Sequence, residues 1–72
     1  MTVARVTEIS AESPESFEDA LRLGIARATK TLRNVRSAWV KEQQVVIEDG
    51  AITKYRTDML VTFVLDDDAD DD

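Results

Sequence analysis

Nucleophilic catalysis by a side chain needs a nucleophile beside a base, and this chain has no cysteine and no histidine to fill either role. Its serines and threonines stand in no activating context, and nothing resembles a P-loop, a dinucleotide-binding glycine pattern or a zinc spacing. Two glycines cannot build a phosphate cradle. The sequence therefore points away from an enzyme and towards binding. Trp39, the single tryptophan, offers either a stacking platform for a planar ligand or an anchor buried between subunits. Arg56 is either an ion-paired strand residue or a planar fork for a carboxylate, a phosphate or a carbonyl-rich ring. The last seven positions hold six aspartates, Asp66 to Asp68 and Asp70 to Asp72. Hard cations want such oxygen ligands, but this run lacks the loop with its fixed glycine and terminal glutamate that makes a specific calcium site. A solvated, solubilising tail over 66–72 is the expectation.

Apart from that tail the chain is electrically balanced, with nine acidic against nine basic residues in 1–65. There is no net basic field and no basic patch interleaved with aromatics, so nucleic acid is not an expected partner. No long apolar run or cleavable signal pattern occurs near the start, so the chain is expected to be soluble, cytoplasmic and not membrane-bound. At 72 residues it is one domain, over 1–65, close to the size at which a single core barely suffices. Without disulfides or metal ligands, association is the remaining means of stabilisation.

The element that positions Trp39 and Arg56 is a long hairpin, Val35 to Leu65, folded at Asp49-Gly50. Asp-Gly between β-branched runs favours a two-residue turn with φ > 0 at both positions. Counting outward from Glu48 opposite Ala51 puts Ala38 against Val61, Val40 against Met59 and Arg36 against Phe63, on one largely apolar face shared with Tyr55 and Leu65. The other face then carries Ser37 against Thr62, Trp39 against Leu60, Lys41 against Asp58 and Gln43 against Arg56. Upstream, Thr2 to Ser10 reads as a strand and Ala11 to Pro14 as a connection. A helix follows, with Ser13 before Pro14 as its start signal and Ser16 as a second one. Phe17, Ala20, Leu21, Gly24, Ala28 and Leu32 form its apolar stripe, widened by Leu23 and Ile25, and it ends near Arg33-Asn34. The expected fold is α+β, of order β-α-β-β, with one helix on a three-stranded antiparallel sheet. One helix covers one face only.

The strings VTEIS, ESPESFEDAL, ARATKTLRNV, IEDG, KYR and VTFVLD, in that order and spacing over residues 2 to 66, resemble the dodecins. These are small flavin-binding proteins that assemble as hollow dodecamers. The resemblance implies a homododecameric shell of this protomer and a non-enzymatic site for a flavin such as riboflavin or FMN. In flavin-binding members a tryptophan stacks on the isoalloxazine ring from a position that is Ser37 here, and a glutamine bonding its polar edge stands where this chain has Arg56. Many bacterial members have an arginine at the position of Gln44. Trp39 lies on the same strand face as Ser37, about 7 Å further along. The resemblance thus names Trp39, Arg56, Ser37 and Gln44 as the flavin-site positions, or else a shell that has lost flavin and serves as a structural or ion-binding particle.

Overall fold

The computed structural model describes residues 2–65, so the expected boundary at 65 and the acidic tail 66–72 lie outside it. Strand β1 (Ala4–Ser13) leads into helix α1 (Phe17–Thr31), which is followed by β2 (Val35–Glu48) and β3 (Ala51–Val64). The strands form one antiparallel sheet in the order β1-β3-β2. The chain leaves one edge as β1, crosses one sheet face as α1, returns at the other edge as β2, and fills the centre with β3. The expected α+β protomer is the one observed. Among the described residues no helix is long and apolar enough to cross a membrane.

Strand β1 runs three residues beyond its expected end, because Ala11, Glu12 and Ser13 continue the ladder against Thr57, Arg56 and Tyr55. Ser13 consequently does not cap the helix. Its hydroxyl accepts the Glu15 N–H at 2.9 Å and donates to Asp19 Oδ2 at 2.6 Å, tying the turn to the first helical residues. The N-cap is Ser16, with extended φ −172° and ψ 168°, whose side chain accepts the Asp19 N–H at 2.9 Å. At the other end the Leu32 N–H closes on the Ala28 carbonyl, and Asn34, at φ 60°, turns the chain into β2. Asparagine tolerates that left-handed conformation better than most residues.

The hairpin turns where expected, with φ 51° at Asp49 and 78° at Gly50 and Glu48 opposite Ala51. Ser37 to Val40 also meet their expected partners. Between these two stretches the register moves by one. Glu42, not Lys41, faces Asp58, and Gln44, not Gln43, faces Arg56. An extra residue at Lys41 on β2 and a compensating one at Thr53 on β3 account for this, Thr53 Oγ1 donating to the Val46 carbonyl at 3.3 Å. A third shift places Val35, not Arg36, opposite Phe63.

The core lies between α1 and β3. Thr57, Met59 and Val61, alternate residues of β3, are fully buried, and they meet the small-residue track Ala20, Gly24 and Ala28. Phe17 closes one end edge-on against Tyr55, with ring centroids 5.1 Å apart. The helix lies over β1 and β3 more than over β2, which leaves Val40 exposed on the covered side. Leu23, expected to widen the stripe, is half exposed instead. Gly24 makes the close approach possible, because a Cβ there would stand 2.7 Å from Met59 Cε and 3.2 Å from Ala11 Cβ. Gly24→Ala is therefore expected to destabilise the protein by about 1 kcal/mol. Overpacking costs about 1–3 kcal/mol and alanine's helix preference returns about 1 kcal/mol. Urea unfolding at fixed protein concentration measures the balance.

Candidate functional site

The sheet face away from α1 has no covering element among the described residues. Strand alternation places Val6, Glu8, Ser10 and Glu12 of β1 there, with Arg56, Asp58, Leu60 and Thr62 of β3 and Ser37, Trp39 and Gln44 of β2. Two rows cross this face. In the first, Glu8, Leu60 and Trp39 are direct neighbours across the three strands. Trp39 is 70% exposed. The bulge leaves Lys41 on the same side, where its ammonium donates to Glu8 Oε2 at 3.2 Å across the central strand. That hydrogen bond, with the charge of Glu8 behind it, holds Lys41 protonated above the usual lysine range.

In the second row Glu12, Arg56 and Gln44 are direct neighbours. Arg56 Nε donates to Glu12 Oε2 at 2.7 Å, Nη2 donates to the same oxygen, and Nη1 donates to Gln44 Oε1 at 2.7 Å. Lys54 stands 3.8 Å from the other oxygen of Glu12. The hydrogen bond from Arg56 holds the Glu12 carboxyl below its usual range, with desolvation acting in the opposite direction. The arginine fork thus meets a carboxylate supplied by its own chain.

Of the four residues named from sequence, the fold brings Arg56 and Gln44 into contact and keeps Ser37 and Trp39 on one strand face. It does not bring the two pairs together. Leu60 and Arg56 mark their rows and are four residues apart on β3, about 13 Å at the usual rise. The residue missed was Glu12. Its signal is the alternation Val6, Glu8, Ser10, Glu12, which runs past Ser10 without a break. Among the described residues no pocket is enclosed and no group of three or more acidic side chains is placed to hold a metal. The face is an open platform with an aromatic at one end and a charged, hydrogen-bonding corner at the other.

This protomer, with its helix on one side and its open platform on the other, matches a known family. Residues 3–66 fit the family model described as Dodecin. The chain belongs to the dodecin family. Among solved structures it is similar to the dodecin from Streptomyces davaonensis, at 40% identity and a TM-score of 0.87, covering 90% of this chain and 96% of that one. The dodecin from Streptomyces coelicolor aligns at 31% identity and a TM-score of 0.87, over 90% of this chain and 93% of its own. The calcium dodecin of Mycobacterium tuberculosis, described as a calcium-chelating antigen with a novel calcium-binding site, is 34% identical with a TM-score of 0.77. That structural alignment covers 85% of this chain and 87% of the other. The dodecin resemblance and the β-α-β-β protomer read from sequence are thus both borne out.

Proposed function

We propose that this dodecin is a non-enzymatic flavin binder, which stores or sequesters riboflavin or FMN in a cytoplasmic homododecamer. The observation that carries this reading is Trp39, a large aromatic left 70% exposed on the uncovered sheet face. Full burial of a large apolar side chain is favoured by about 1.5–3 kcal/mol over exposure, so a surface that meets this face gains by covering it. A planar ring stacked on the indole fits that demand. The Arg56 corner of a facing subunit would supply N–H donors for ring carbonyls, although arginine, unlike glutamine, accepts no hydrogen bond from a ring N–H. Stacking a flavin against the electron-rich indole would quench its excited state and limit photochemical damage.

Self-association supplies the covering surface. Strand β1 reaches only as far as Tyr55, so the hairpin beyond it is a two-stranded ribbon, the facing pair Ile47 and Ile52 being 61% and 53% exposed. An isolated ribbon of that kind is marginal in water. Docking onto other copies explains its length and its apolar tip.

A second reading is a dodecin shell that holds ions and no flavin. It is favoured by the calcium dodecin relative and by the six aspartates of 66–72. Titrating ligand-stripped protein into riboflavin and FMN, with the particle mass followed in the same sample, separates the two. Saturable quenching at micromolar protein, by a particle of twelve times the 8.1 kDa chain mass, is the expected result. A dodecamer that leaves the fluorescence unchanged would overturn the flavin reading and turn the search to calcium and to anions.

A further inference from the structure

We infer that Glu12 sets the chemical class of ligand accepted at the Arg56 corner, admitting uncharged carbonyl acceptors and excluding anions. An exposed arginine with a lysine beside it, as Arg56 and Lys54 would be alone, attracts phosphates and carboxylates. Here one carboxylate serves both cations. Glu12 Oε2 takes the Nε and Nη2 edge of Arg56 while Oε1 lies 3.8 Å from Lys54 Nζ. An anion approaching this corner must displace Glu12 or stand beside its negative charge. An uncharged carbonyl meets no such repulsion, because Arg56 Nη1 and Nη2 each carry a second N–H beyond those given to Gln44 and Glu12. The hydrogen bond from Arg56 also holds the Glu12 carboxyl below its usual range, which favours the charged form that repels anions.

The corner remains within reach of a ligand. The side chains of Arg56 and Glu12 are 38% and 35% exposed, on the same uncovered face as Trp39. Gln44, brought opposite Arg56 by the bulge at Lys41, fixes the guanidinium from the other side without adding charge. The uncharged ligand rests on the flavin reading, whereas the exclusion of anions rests on the corner alone.

The test compares full-length, ligand-stripped parent, Glu12→Gln and the Glu12→Gln, Arg56→Gln double variant, with inorganic pyrophosphate as the anion and riboflavin as the uncharged probe. Glutamine keeps an acceptor for Arg56 but removes the charge. The expected result is a gain of about tenfold or more in pyrophosphate affinity for Glu12→Gln, abolished in the double variant. Riboflavin affinity should change by less than pyrophosphate affinity, so that the ratio of the two shifts about tenfold or more towards the anion. A Glu12→Gln protein with no gain for pyrophosphate, or a gain that survives loss of Arg56, overturns the inference. If the parent fails to bind riboflavin, the flavin reading falls and the pyrophosphate comparison still decides the role of Glu12.

Discussion

Trp39→Ala is expected to weaken riboflavin binding by about ten- to a hundredfold while leaving the protomer folded. Base–aromatic stacking is worth about 1–3 kcal/mol per aromatic, which sets that range. The fold survives because Trp39 is 70% exposed and contributes nothing to the core between α1 and β3. Two roles for this indole predict different outcomes. As a stacking platform, its loss lowers quenching and affinity and leaves the particle mass unchanged. As an anchor between subunits, its loss shifts the mass towards smaller species, and flavin affinity falls only as the particle dissociates. Flavin titration and mass determination on the same sample therefore assign the role. Trp39→Phe refines the answer, since a smaller ring keeps part of the stacking surface and should recover part of the affinity. Unchanged affinity in Trp39→Ala would remove this residue from the site and leave Arg56 and Gln44 without an aromatic partner.

That Arg56 faces Gln44 and not Gln43 follows from the part of the fold the sequence does not encode locally. The turn at Asp49-Gly50, the helix and the succession of elements along the chain are all legible, because each rests on a local signal: φ > 0 residues, 3.6-residue periodicity, alternation. The bulges rest on none. A turn fixes the register next to itself, and every residue inserted further out shifts the pairing unseen. Gln43 and Gln44 are the same residue type, so composition cannot say which of them faces Arg56; only the extra residue at Lys41 decides. The same limit hid Glu12. Ser13-Pro14 and Ser16-Phe17 both look like helix starts, and taking the first ends β1 too early. The competition is settled by the ladder partners of Ala11 to Ser13 on β3, more than forty residues away in sequence. Glu12 joins Arg56 only through that long-range pairing.

Met59→Ala is expected to cost about 2–5 kcal/mol, the range for truncating a fully buried methionine and the largest stability effect expected here. Against a total of about 5–15 kcal/mol for an ordinary domain, that is a large share of the stability of a chain this small, which assembly can offset. The size of the loss depends on whether the cavity can close, and Gly24 decides this. Met59 Cε lies 2.7 Å from where a Gly24 Cβ would stand and Sδ 3.3 Å from it, so the thioether end packs into the notch left by the missing side chain. Removing Met59 empties that notch, and Gly24→Ala then changes sign. In the parent the added methyl collides with Met59; in the Met59→Ala background only the 3.2 Å contact with Ala11 Cβ remains, and alanine's helix preference of about 1 kcal/mol is expected to outweigh it. A double-mutant cycle by urea unfolding at fixed chain concentration should give a coupling of about 1–3 kcal/mol, which two independent sites would not show. Additive effects would mean that the Met59 side chain swings aside at no cost and that the helix does not depend on Gly24 for its approach. The consequence reaches the opposite face of the sheet. Met59 lies on β3 between Asp58 and Leu60, so a helix held less firmly on this strand also holds the rows of Trp39 and Arg56 less firmly. Flavin affinity in Met59→Ala should then fall with stability and recover when Gly24→Ala is added.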